Sequence, residues 1–159
     1  MSNELALALA MAGGYAAVAL AAVGSAVGAG IAGQAAIAAW KRCYAQNKPA
    51  PFLLVALAGT PLSQTIYGMI LMMLIKGGIA QAVSDNYAYM AIFYLIMGAV
   101  AGLGFMFSSI YQGKAAAGGC DAFGETGKGF TNYLTIAGIV ETVALFVLVF
   151  GIMVINVRL

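Results

Sequence analysis

Gly59-Thr60-Pro61-Leu62-Ser63-Gln64-Thr65-Ile66-Tyr67-Gly68 is a polar stripe set inside an apolar run that extends from about Pro51 to Ile75. Read as a helix, it places Thr60, Ser63, Gln64 and Tyr67 at i, i+3, i+4 and i+7, on one face. Neutral oxygens are costly inside a hydrophobic helix unless something binds them. The natural partner is Glu141, the one carboxylate embedded in an apolar run, Ile139-Val140-Glu141-Thr142-Val143-Ala144-Leu145-Phe146. The two stretches are expected to meet within a membrane and build a cation site.

Composition supports the membrane. Of 159 residues, 64% are apolar and 8% charged, with a net charge of +2 and a mean hydropathy of +0.99. A soluble domain carries roughly 25% charged residues, so an integral membrane protein is indicated. The small net charge, the lack of histidine and the lack of a basic cluster interleaved with aromatics argue against nucleic acid as a partner. Cys43 and Cys120 are too few for a disulfide framework, lack metal-ligand spacing, and read as small buried or loop thiols. Met1-Ser2-Asn3-Glu4 carries an acid where a secretory leader carries Lys or Arg. The first apolar run is also too long for a leader's core, so it is expected to remain as a helix.

Four hydrophobic segments follow one another, from about Leu5 to Trp40, Pro51 to Ile75, Tyr87 to Gly119 and Phe130 to Val157. A span needs about 20 residues, so the first and third should project beyond the hydrocarbon. The joins are Lys41 to Pro49, Lys76 to Asn86 and Cys120 to Gly129. Backbone polar groups in lipid must be satisfied internally, and nothing alternates like a barrel strand. The fold class is therefore an all-α membrane protein with four transmembrane helices in two tandem hairpins, residues 1–80 and 81–159. Lys41, Arg42, Lys48, Lys114 and Lys128 lie in or beside the first and third joins, against Lys76 in the second and Arg158 in the tail. The positive-inside rule puts the first and third joins in the cytoplasm and both termini outside.

The halves repeat in the same orientation, unlike the inverted repeats common in secondary transporters. Gly24-Ser25-Ala26-Val27-Gly28-Ala29 answers Tyr111-Gln112-Gly113-Lys114-Ala115-Ala116, and Gln64 answers Glu141. The first and third segments are rich in Gly and Ala, whereas the second and fourth carry Met, Leu, Val and Phe. Small residues let helix backbones approach, so the first and third should form an inner layer and the bulky pair an outer one.

Other motifs are weaker. Gly28-Ala29-Gly30-Ile31-Ala32-Gly33 matches a dinucleotide fingerprint by letter but follows no strand, and reads as a helix-packing surface. Glu141 must be protonated, paired or cation-bound, and no Lys or Arg lies at matching depth. Gln64 and Ser63 offer oxygens and donors, although a Gln–Glu pair can also be plain interhelical glue. Pro61 cannot donate to the carbonyl of Leu57 and should kink the helix beside the stripe. Gln112, in Ser108-Ser109-Ile110-Tyr111-Gln112-Gly113, is deep enough to reach the same level. Lys114 reads as a cytoplasmic-side snorkelling residue, and Met69, Met72 and Met73 as packing.

Pro61 to Gly68, Ser109 to Gly118 and Val140-Glu141-Thr142 together resemble the proteolipid (K or c) subunit of V-type and A-type rotary ATPases. The resemblance is to the duplicated four-helix bacterial form and its sodium-translocating branch, and it covers nearly the whole chain. It implies Na⁺ ligands at Glu141, Gln64, Ser63, Gln112 and the main-chain carbonyl of Thr60. It also implies that Tyr67 hydrogen-bonds Glu141 and that Pro61 shapes the helix beside the site. Ser63 stands where Thr is common, which keeps the oxygen. Thr60 stands where Leu is common, which matters little if the carbonyl alone binds.

The implied function is that of a rotor. Identical copies would form a ring with the first and third helices inside. Each copy would carry one Na⁺ on Glu141, a stator subunit would release it, and a central-stalk subunit would dock on the cytoplasmic joins. Lipid would surround the ring, in a bacterial plasma membrane. The chain has no nucleotide site, so it would be non-catalytic on its own. Several neutral oxygens would be superfluous for H⁺, which favours Na⁺. The alternatives are a proton-translocating rotor of the same family, or a small membrane channel or scaffold in which Glu141 and Gln64 only lock helices.

Overall fold

Two long helices of small residues lie side by side. In the computed structural model, which describes residues 2–81 and 87–155, these are α1 (Asn3–Ala45) and α4 (Tyr87–Thr126). Glycines set their separation. A Cβ on Gly24 would stand 2.5 Å from Met106 Cα, and one on Gly28 or Gly113 would strike the facing backbone outright. Gly13 faces Gly98 and Gly28 faces Gly113, so the two helices run parallel. The parallel course agrees with two hairpins of one orientation, and the small residues lie where the two backbones touch.

The second span comes in pieces: α2 (Leu54–Gly59), a 3₁₀ turn at Thr60–Leu62, and α3 (Ser63–Gln81). Pro61 is the cause, since it has no N–H for the carbonyl of Leu57. That carbonyl instead accepts the Thr60 N–H and, at 2.9 Å, the Thr60 hydroxyl. The expected kink is a single tightened turn. Beyond it, Pro61, Gln64, Gly68, Leu71, Ile75 and Ile79 form one buried face.

The last helix, α5 (Phe130–Ile155), buries only Ala137, Ala144 and Leu148 and exposes Ile139, Val143, Phe146 and Phe150. It is an outer helix with an apolar surface, as bulk predicted. Among the described residues, four helices are long and apolar enough to cross a membrane: Asn3–Ala45, Leu54–Ile79, Tyr89–Thr126 and Phe130–Ile155. No strand occurs among the described residues.

Two expectations need correction. The first and third helices outrun their apolar segments: α1 continues through Lys41 and Arg42 to Ala45, and α4 through Asp121 to Thr126. Polar contacts join the two extensions, with Arg42 ion-paired to Asp121 and Cys43 Sγ 3.6 Å from the Gly124 carbonyl. The third join shrinks to Gly127-Lys128-Gly129, with left-handed φ of 65° and 82° at its two glycines. The Gly127 N–H caps α4 by donating to the Phe123 carbonyl at 2.8 Å.

Within Gly28-Ala29-Gly30-Ile31-Ala32-Gly33, only Gly28 among the glycines lies at a close approach; Gly30 and Gly33 face open space in the chain. Ser25 stands beside Ser109, their oxygens 3.3 Å apart. The join from Ser84 to Asn86, the end of the fourth segment at Val157, and Arg158 lie outside the described residues.

Candidate functional site

Glu141 projects from the one face that α5 buries, between Ala137 and Ala144. It is itself only partly buried. It stands near the middle of a 26-residue helix long and apolar enough to cross a membrane. A lone charge at such depth costs about 3 kcal/mol on insertion scales, so its contacts decide its state.

Both carboxylate oxygens are engaged. The Tyr67 hydroxyl donates to Oε1 at 2.5 Å and Gln112 Nε2 donates to Oε2 at 3.0 Å. Gln112 also donates to the Ala137 carbonyl at 3.2 Å, which uses both hydrogens of its amide and turns its oxygen toward α3. There Gln112 Oε1 accepts from Gln64 Nε2 at 2.7 Å. The second hydrogen of Gln64 points to Ser108 Oγ at 3.4 Å, and Ser108 lies 3.2 Å from the Val140 carbonyl, one residue before Glu141. Gln64 and Gln112 are fully buried.

The oxygen of Gln64 faces the proline turn. Ser63 Oγ lies 3.3 Å from Gln64 Oε1 and 3.2 Å from the Thr60 carbonyl oxygen. The expected residues Thr60, Ser63, Gln64, Gln112, Glu141 and Tyr67 thus form one connected network across the second, third and fourth spans. Pro61 is buried beside it. One detail departs from the simple picture: Gln64 bonds Gln112, and Gln112 stands between it and Glu141. The stripe is also not uniform, because the Thr60 hydroxyl turns back to its own helix and only its carbonyl joins the network.

Lys114 lies well inside its helix. From it α4 continues for more than three turns, roughly 18 Å at 1.5 Å per residue, to Thr126. Its ammonium lies 4.6 Å over the exposed ring of Tyr111. The ammonium thus rests on the aromatic face of a residue three positions back on the same helix.

Sequence reasoning overlooked the serines. Ser108 links Gln64 to α5, and Ser109 and Ser25 form a second buried hydroxyl cluster with Thr65. The motif at Ser108-Ser109 was visible, but a serine among small residues is indistinguishable from a packing residue until its partner is known.

Chemically, the network combines one carboxylate with neutral oxygens from a main-chain carbonyl, a hydroxyl and two amides. An all-oxygen donor set suits a hard cation. The donors on Glu141 give both its carboxylate oxygens a partner.

Residues 95–154 match the family model of the ATP synthase C subunit. The matched stretch runs along α4 and α5 and contains both Gln112 and Glu141. Four long apolar helices fit a duplicated protein of this proteolipid type. No curated protein matches the chain.

Proposed function

We propose that the chain is the rotor-ring proteolipid of a V-type ATPase membrane sector, carrying Na⁺ across the membrane on Glu141 during ATP-driven rotation. The observation that carries this reading is the network joining Glu141 through Gln112 to Gln64, Ser63 and the Thr60 carbonyl. The family match on residues 95–154 supports the rotor role.

In this reading, identical copies close into a ring with the first and third helices inside, and the exposed apolar face of α5 outside, toward lipid and the stator. Na⁺ enters among the oxygens of Glu141, Gln112, Gln64, Ser63 and Thr60. Binding neutralises the carboxylate, so the loaded site passes through lipid at little electrostatic cost. An arginine of the stator then competes for Glu141 and releases the ion to the exit. The cytoplasmic joins dock the central stalk, and the nucleotide chemistry belongs to other subunits. Both termini face outward from a bacterial plasma membrane. Residues 1–80 supply the neutral half of each site and residues 81–159 the carboxylate.

Carbodiimide labelling of assembled rings tests the reading. Glu141 should be the residue modified, and Na⁺ should slow its modification at constant pH. Equal rates with and without Na⁺ across a pH series would favour the proton-carrying rotor. A stable monomer or dimer that never closes into a ring would favour the channel or scaffold.

A further inference from the structure

Behind the proline turn, on the side away from Glu141, lies a second set of polar groups that the proposed site does not use. Thr65 Oγ1 donates to Ser25 Oγ at 2.8 Å, and Ser109 Oγ donates to the Pro61 carbonyl at 2.7 Å. Ser25 and Ser109 are 3.3 Å apart. A hydroxyl has one proton, and that of Ser109 is taken by its short bond to Pro61. The arrangement that uses every proton once runs from Thr65 to Ser25 to Ser109 to the Pro61 carbonyl. It ties α1, α3 and α4 together at one point.

The inner end of the cluster is buried: Ser25 is 3% exposed and Ser109 0%, while Thr65 at its outer end is half-buried. A Cβ added at Gly28 would come within 2.9 Å of Pro61 Cβ and strike the Ser109 carbonyl, so no space separates the three backbones. Where water is excluded, a carbonyl depends on the protein for its donors.

What the anchor holds is set by proline geometry. The peptide plane carrying the Thr60 carbonyl and the plane carrying the Pro61 carbonyl are joined by Pro61 alone. Its φ is locked by the ring, so a single soft dihedral relates them. Fixing the Pro61 carbonyl against Ser109 therefore restricts where the Thr60 carbonyl points. The Thr60 carbonyl is the oxygen that faces Ser63 in the candidate site.

We infer that Ser109, backed by Ser25 and Thr65, is a positioning residue that aims the Thr60 carbonyl and thereby sets the affinity and size preference of the cation site. The inference rests on the proposed Na⁺ reading but concerns residues outside its ligand set.

The test uses assembled rings in native membranes, with carbodiimide labelling of Glu141 measured against Na⁺ and Li⁺ titrations. Ser109→Ala should raise the Na⁺ concentration for half-protection about three- to tenfold, the range that one interhelical hydrogen bond in a membrane spans. The Na⁺/Li⁺ ratio should move with it, because a loosened carbonyl no longer holds the cage to one radius, while labelling without ions stays at the wild-type rate. Ser109→Thr, which keeps the hydroxyl, should restore the wild-type values. Thr65→Val and Ser25→Ala should shift half-protection in the same direction by a smaller factor.

Unchanged half-protection and unchanged Na⁺/Li⁺ ratio in Ser109→Ala rings would overturn the inference, even if those rings were less heat-stable. If Ser109→Ala rings do not assemble, wild-type values in both Thr65→Val and Ser25→Ala would overturn it. No protection of wild-type rings by either ion would overturn the Na⁺ reading itself, and the inference with it.

Discussion

The first and second hairpins place unlike residues where they meet. Gln64, on the second helix of the first hairpin, is fully buried and spends its amide hydrogens on Gln112 and Ser108. Glu141, on the second helix of the second hairpin, is partly exposed and only accepts, from Tyr67 and Gln112. The backbones differ as well: the first hairpin breaks into a 3₁₀ turn at Thr60–Leu62, whereas α5 runs unbroken from Phe130 to Ile155. The difference teaches a division of labour. A second carboxylate at Gln64 would sit locked in protein with another charge to neutralise, whereas an amide supplies an oxygen at no such cost. One hairpin is the wall of the site and the other its charge.

Removing the charge is the largest perturbation available. Glu141→Gln should abolish carbodiimide labelling and all ion-coupled transport while leaving the ring assembled; retained coupling would break the comparison outright. Removing the wall should hurt less. Gln64→Leu strands Gln112 Oε1 and Ser108, and should weaken Na⁺ protection of Glu141 about tenfold, roughly the 1–2 kcal/mol reached by the stronger interhelical hydrogen bonds in membranes. Protection at the wild-type Na⁺ concentration would show that the first hairpin lends no oxygen.

Packing gives a third contrast. Gly28→Ala puts a methyl against the Ser109 carbonyl, and should cost about 1–3 kcal/mol, read as a lower melting temperature of the detergent-solubilised ring. Gly30→Ala meets nothing in its own chain and should leave the fold unchanged. Equal losses would mean that the crowding is not confined to the α1–α4 contact. The smallest effect belongs to the exposed ion pair at the ends of those helices. Arg42→Ala should change stability by less than about 1 kcal/mol, and less still at high salt. A larger loss would make the extension beyond the membrane a structural clamp.

Legibility followed from the kind of signal each feature leaves. Spans are written in hydropathy, and all four were found. The inner and outer layers were written in residue size, because Gly13, Gly28, Gly98 and Gly113 are needed only where backbones touch. Glu141 and the stripe from Thr60 to Tyr67 stood out because polar atoms are rare in apolar helices. Helix ends were missed because α1 and α4 outlast their apolar stretches, and polarity stopped the reading at Trp40 and Gly119. The hydroxyl cluster was missed for a different reason. Ser25, Thr65 and Ser109 are each unremarkable locally, and their contacts cross three helices, so no spacing within one segment announces them. The route from Gln64 to Glu141 by way of Gln112 was hidden in the same way.

Equilibrium binding of radiolabelled Na⁺ to the purified ring, counted per chain, is the most direct test of the claim that two hairpins share a single ion. The account predicts one Na⁺ for each chain in the wild type and none in Glu141→Gln. Two ions per chain, or undiminished binding without the carboxylate, would contradict it.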